Sequence, residues 1–550
     1  MTPAHGRRPG RDREDGEWPW PASGPFGGDD DDLGWSDRPG PAPGPRGPRT
    51  VSGGGIRPAT SSGVTPARRG FVVLLMAAAL VGAGVADRSG RESSASPSSR
   101  SSLLPSVLEA AAVMPSAASA RALASAWSCP LATAAGAAGA AEGQVVVANV
   151  GDGPLSGVVT VTPADGEAAN KTITVDPHSS LQVKESDVVH LGADRPWASA
   201  LVDLHGGQAG VELLASGQWG TSITPCSPSA SDHWYFATGS TAVDATMMMG
   251  LFNPFPSDAV VDLAFVTDQG PANPSEFQGV VVPARGLRVL DIGDHVRRRD
   301  ALAATVTART GRVVAERLQA RTGGNAGLTA ALGAPSPGET WYFPDGYSAD
   351  HDIEHYVIYN PEPAEAHVSL KVNLDTGSAE PFDLTVPPAA TFTVMVESES
   401  RIPPQVGHSA ELHSLNGVPV VVERTVQASA PAPRVGGGAM VGARVAAPRW
   451  LLPVGNATAG VDEWVVVYNP GAMAATVSLR ALEDGQEMAI PQMQGVAIPP
   501  GRRHAFRLGD QLQLSPLPVV VGATAPVVVE RDLYVNGQPV LILNAGEPLP

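Results

Sequence analysis

The chain has 550 residues, with 37 Lys and Arg against 55 Asp and Glu, a formal charge of −18. That balance excludes a nucleic-acid partner, which needs clustered cations to displace counterions from phosphates. The length suits roughly three or four domains, and abundant Gly and Pro with few aromatics point to flexible segments and small-residue β structure.

Residues 1–66 are dense in Gly, Pro, Arg and Asp, carry the acidic run Asp29–Asp32, and hold apolar residues only singly. Such a composition cannot bury a core and reads as a disordered cytoplasmic tail. Residues 67–87 follow, in which Phe71 to Ala86 are 16 consecutive apolar or Gly residues behind Arg68 and Arg69. This run is expected to be a transmembrane anchor; a signal segment cleaved near Gly84-Val85-Ala86 and a buried core helix are the alternatives. Residues 88–120, rich in Ser and Ala, read as a stalk with a short helix around Leu103–Val113. The two cysteines, Cys129 and Cys226, both follow the apolar run. They are a disulfide candidate, which favours an oxidising compartment and places the body outside the cytoplasm; two unrelated buried thiols are the alternative.

The remainder repeats. Trp127, Trp234, Trp341 and Trp450 are 107, 107 and 109 residues apart, and Asn149, Asn253, Asn360 and Asn469 follow at 104, 107 and 109. Glu316-Arg317, Glu423-Arg424 and Glu530-Arg531 keep the same period, with Glu212 as a partial match in the first copy. A period near 107 is too long for propeller blades or solenoid units and fits whole domains. The expected boundaries are 121–229, 230–337, 338–446 and 447–550.

The third copy shows the content of one unit. "TWYFP" and "YVIYN" are short apolar strands, and "HVSLKVNL" alternates Val368, Leu370 and Val372 against polar residues, the period of a half-buried strand. "PFDLTVPP" and "TFTVMVE" add two more. "HSAELHS", Asn416-Gly417 and "VPVVVERTV" read as a hairpin. About seven strands per unit point to an all-β chain of four tandem immunoglobulin-like β-sandwich domains, joined by linkers such as "RTGGNAGLTAALGAPSPG" and "ASAPAPRVGGGAMVGARVAAP".

The polar landmarks read as structure. Pro holds the preceding Asn out of the α region, and the Asn side chain can fix the turn that ends its strand. Adjacent Glu and Arg on a strand point to opposite faces, so they suit cross-strand pairing or a contact between domains, not one shared ligand. "HDIEH" (351–355) matches an inverted zinc-peptidase pattern but has no His counterpart in the neighbouring copies; it reads as an acidic loop, with weak cation binding by Asp350, Asp352 and Glu354 as the lesser alternative. Among the tryptophans outside the tail and the repeated set, Trp197, Trp219 and Trp464 are the candidates for sugar stacking, with packing in a core as the commoner alternative. "NKT" (170–172) and "NAT" (456–458) fit the glycosylation triplet.

"AWSCP", the later "TPC" and "HWYF", and the repeated Asn-Pro phrases resemble an actinobacterial family of membrane-anchored cell-envelope proteins classed only as a domain of unknown function. The resemblance implies a location and a β-rich exported body, and transfers no catalytic residue. The expected function is therefore that of a non-enzymatic extracytoplasmic scaffold, spacer or interaction module, without cofactor or metal, whose partner is a protein or glycan of the envelope. The alternative is a carbohydrate-binding or accessory subunit of an envelope glycosyltransferase system.

Overall fold

Strand-forming alternation recurs throughout the body, and the computed structural model follows it over residues 112–550, except 456–459, 484 and 513–516. The tail 1–66, the run Phe71–Ala86, most of the stalk and the triplet 456–458 lie outside the described residues. Among the described residues the only helical elements are short 3-10 turns, and no helix is long and apolar enough to cross a membrane. The described chain is all-β.

Repeat 3 contains eight strands. Thr340–Phe343, His408–Ser414, Ala366–Leu374 and Phe382–Val386 pair in that order in one antiparallel sheet. Ala390–Met395, Asp352–Asn360, Val421–Ala428 and Gly436–Val441 form the second. The alternation in Ala366–Leu374 turns Val368, Leu370 and Val372 inward, where they meet Trp341, Tyr356 and Val422 in one buried cluster. Burial of each such aliphatic side chain is worth about 1.5–3 kcal/mol, which is what holds the two sheets face to face. Repeat 2 has the same strand order around its own core. In repeat 4 a single 17-residue strand, Val519–Val535, runs from one sheet into the other.

Several expectations change. The residues 408–428 are not a hairpin: His408–Ser414 and Val421–Ala428 lie in different sheets, and the Asn416-Gly417 turn carries the chain across the sandwich. Asn416 fixes that crossing by accepting from the His367 amide and donating to the Glu365 carbonyl. "HDIEH" is no loop, since Asp352 already opens the strand Asp352–Asn360. Nor is the end of the stalk free: Met114, Ser116 and Ala117 are buried, and Trp127 donates from Nε1 to the Ser116 carbonyl.

The Gly-rich linkers are also strands. Gly327–Leu332 and Gly436–Val441 each extend one sheet of their own repeat, as Gly220–Pro225 does in repeat 1 and Leu541–Ala545 in repeat 4. These four strands pack against one another in cyclic order, and the last meets the first. Thr329 Oγ1 donates to the Gly437 carbonyl, and at the equivalent place one repeat earlier Ser222 Oγ accepts from the Ala330 amide. Glycine is required at this axis. Gly220, Gly327 and Gly436 have φ of 122°, 154° and 124°, and a Cβ on Gly220 would lie 2.9 Å from the Leu328 amide nitrogen. The four repeats therefore form a closed ring around a central axis, rather than a row of beads.

Candidate functional site

The ring's seams gather most of its buried charge. In each seam a carboxylate of one repeat caps a backbone amide at or just past the end of the first strand of the preceding repeat. Glu316 accepts from Leu131, Glu423 from Ala237, Glu530 from Asp345 and Glu212 from Val454, at 3.1, 2.7, 3.1 and 2.7 Å. The neighbouring Arg supplies the second half. Arg317 pairs with Glu423, Arg424 with Glu530, and Arg531 with Glu212, which closes the ring from repeat 4 to repeat 1. Opposite-facing side chains on one strand thus meet the partner residue of the next repeat. All seven are nearly inaccessible to solvent.

The repeat landmarks have one role each. Asn149, Asn253, Asn360 and Asn469 donate from Nδ2 to the carbonyl four residues on, at 2.8 Å in every copy, and to a neighbouring strand end at Val175, Val282, Val386 and Ile498. Trp234, Trp341 and Trp450 donate to the carbonyls of Val313, Val420 and Val527, three residues before each seam Glu. Trp127, Trp234, Trp341 and Trp450 all lie in repeat cores. Cys129 and Cys226 form a disulfide with Cα atoms 4.7 Å apart, within repeat 1.

The seams differ in what surrounds this shared contact. Between repeats 1 and 2 the Arg position is Leu213, so Glu316 has no guanidinium and its Oε1 has no hydrogen-bond partner. Burial pushes its carboxyl up to about 8. Glu185 lies buried nearby, and burial followed by the charges of Glu142 and Glu316 raises it well above the ordinary carboxyl range. Leu131, Leu318, Trp197 and Trp219 fill the seam, the two indoles 5.8 Å apart at the ring centres. Two of the three candidate sugar-stacking tryptophans are therefore packed on each other.

The seam between repeats 3 and 4 is polar. Arg424 lies within 3.7 Å of Asp345 and at 3.2 and 3.5 Å from Glu354 and Asp532, besides its Glu530 partner. His408 Nε2 stands 3.1 Å from Glu354. Arg434 Nε donates to Asp352 at 2.6 Å, and Arg503 holds both Asp345 and Asp375. Burial and the charges of Asp345 and Glu530 push Asp532 well above the usual range. Against the same burial, Arg503, a hydrogen bond from Asp532 and Arg424 hold Asp345 below it. Of the two, Asp532 is the harder to ionise, because Arg503 and Arg424 favour the charge on Asp345. Beside them opens a cavity of about 300 Å³, lined also by Tyr347, Trp464 and Tyr534. The third tryptophan candidate, Trp464, is thus placed in a cleft.

"HDIEH" contributes to this seam, but to arginines. Asp352 and Glu354 are buried on one face, while His355 pairs with Glu397 at 3.0 Å. Among the described residues no cluster of His, Cys, Asp or Glu could hold a metal ion. The seam network was not foreseeable as a site, because its members come from distant stretches; the one signal was the conserved period of the Glu-Arg pair within this chain.

The model of a family of unknown function (DUF5719) matches residues 206–398, from the end of repeat 1 into repeat 3. No curated protein matches. Among solved structures, the crystal structure of Thermotoga maritima 1070 is 18% identical with a TM-score of 0.18, over 20% of this chain and 94% of that one. The Anabaena sensory rhodopsin transducer is 25% identical with a TM-score of 0.15, over 16% and 95%. A Streptomyces avermitilis α-L-rhamnosidase complexed with L-rhamnose is 10% identical with a TM-score of 0.11, over 72% and 55%. Scores this low carry no argument about fold or activity.

Proposed function

We propose that the chain is a non-enzymatic extracytoplasmic envelope protein, of the actinobacterial kind that its sequence resembles, in which four immunoglobulin-like sandwiches serve as a ring-shaped scaffold or interaction module. The carrying observation is the closure of the ring. Arg531 reaches Glu212 across 319 residues, and the C-terminal Glu547 accepts from the Val211 amide of repeat 1. Each repeat thereby spends its seam residues on its neighbours and keeps its outward sheet surfaces for partners. The Cys129–Cys226 disulfide supports an oxidising compartment. Phe71–Ala86 is assigned as the membrane tether, or as a signal whose cleavage releases the ring.

The test is crosslinking in living cells from outward positions on each repeat, with identification of the neighbours. Reproducible capture of one envelope protein or glycan is expected. Turnover of an envelope substrate by the purified protein, abolished by one polar substitution, would overturn the non-enzymatic role. Free thiols at Cys129 and Cys226 in intact cells would overturn the compartment.

A further inference from the structure

We infer that the cleft between repeats 3 and 4 is a binding site for a neutral saccharide unit. This goes beyond the scaffold role and stands whether or not that role holds. Three observations converge on it, beginning with unmet hydrogen-bond capacity. Asp532 and Asp352 line the cavity at 4% and 2% exposure. No N–H or hydroxyl donates a hydrogen bond to either oxygen of Asp532, from which Arg424 and Arg434 stand off at 3.5 and 3.8 Å, and Oδ1 of Asp352 has no partner. Buried carboxyl oxygens without donors are costly, and a ligand that supplies donors removes the cost.

The second observation is charge. Arg434 is engaged by Asp352 and, at 3.8 Å, by Asp532, and Arg503 by Asp345 and Asp375, so neither is free to clamp an anion, and the carboxyl groups repel one. An ammonium or guanidinium ligand meets the same arginines as like charges. A hydroxyl group is neutral and both donates and accepts, so it serves either protonation state of Asp532. The third is shape. Trp464 and Tyr534 add aromatic walls to a cavity of about 300 Å³, the pairing of apolar face and polar edge that a sugar ring presents.

The repeat fold does not impose this chemistry. At the equivalent places between repeats 2 and 3, Thr238, Ala245, His355, Thr425 and Gln427 stand for Asp345, Asp352, Trp464, Asp532 and Tyr534. That seam closes to a smaller cavity of about 180 Å³ without an indole.

The full-length protein would be titrated by calorimetry with D-glucose, D-galactose, D-mannose, L-arabinose and N-acetyl-D-glucosamine, and with agmatine and D-glucose 6-phosphate as cationic and anionic probes. At least one neutral sugar should bind saturably, and both charged probes more weakly. Trp464→Ala should weaken that binding by roughly tenfold, one buried aromatic contact. Ala505→Phe fills the cavity while removing no polar partner, so it should abolish binding in a ring that keeps its melting temperature. Absence of saturation with all five sugars, tighter binding of agmatine or the phosphate, or sugar binding untouched by Ala505→Phe would each overturn the site.

Discussion

The seam between repeats 1 and 2 and the seam between repeats 3 and 4 are built on one contact and solve its electrostatics in opposite ways. Both bury a Glu that caps the backbone of the preceding repeat. In the first, Leu213 leaves that Glu without a cation, and the surrounding Leu and Trp side chains keep it protonated. In the second, Arg424 faces several carboxyls and the seam opens into a polar cleft. A buried carboxyl is tolerable either as a neutral acid or as one member of an ion-pair network, and the choice follows from a single position one repeat away. The apolar solution seals the seam; the ionic one leaves room for a ligand.

The largest expected effect tests the ionic seam. Arg424→Met strands Glu530 and Glu354 in the interior and should cost about 3–5 kcal/mol in urea unfolding. Adding Glu530→Gln should recover part of that loss, since the two residues share one interaction; strict additivity would show that they do not. Below it stand the strand-end asparagines, which do not distinguish the seams. Asn360→Ala leaves the buried Val386 carbonyl short of a donor and should cost about 1–3 kcal/mol, as should Asn469→Ala, measured by the same unfolding. A tenfold difference between the two would break the equivalence of the repeats.

The apolar seam gives a pH signature. Because Glu316 is raised above its unfolded value of 4.5, its contribution to stability is fully present below that pH and is lost as pH rises through about 8. Glu316→Gln removes the titration, so between pH 5 and pH 9 the variant should gain about 4 kcal/mol on the parent. Unfolding midpoints at the two pH values decide it; an equal gain at both would refute a titrating Glu316. The smallest effect lies outside the seams. Arg480→Ala breaks a half-exposed pair with Glu487 and should change stability by less than about 1 kcal/mol.

How much of this was legible follows from where each constraint acts. The Trp and Asn landmarks serve bonds inside a single repeat, so every copy keeps them and their spacing marks the units. Hydrophobic alternation in "HVSLKVNL" was equally local, and the strand Ala366–Leu374 follows it. The Asn416-Gly417 signal correctly marked a turn but not its destination, because turn chemistry says nothing about which sheet receives the next strand. The Gly-rich stretches looked like linkers for a related reason. Small residues lower strand propensity, yet close approach of four backbones at an axis requires them.

By itself the sequence determined an all-β chain, its period of about 107 residues, and the residues that end or anchor strands within each unit. Only the tertiary structure decided that the units close into a ring, that each Arg meets the Glu of the next repeat, and that Trp464 faces buried carboxyls from strands far away in the chain. The physical reason is range. Side-chain alternation and turn geometry are set by residues a few positions apart, whereas the seam pairs Arg317–Glu423, Arg424–Glu530 and Arg531–Glu212 join groups 106, 106 and 319 residues apart, and their meeting depends on how whole repeats pack.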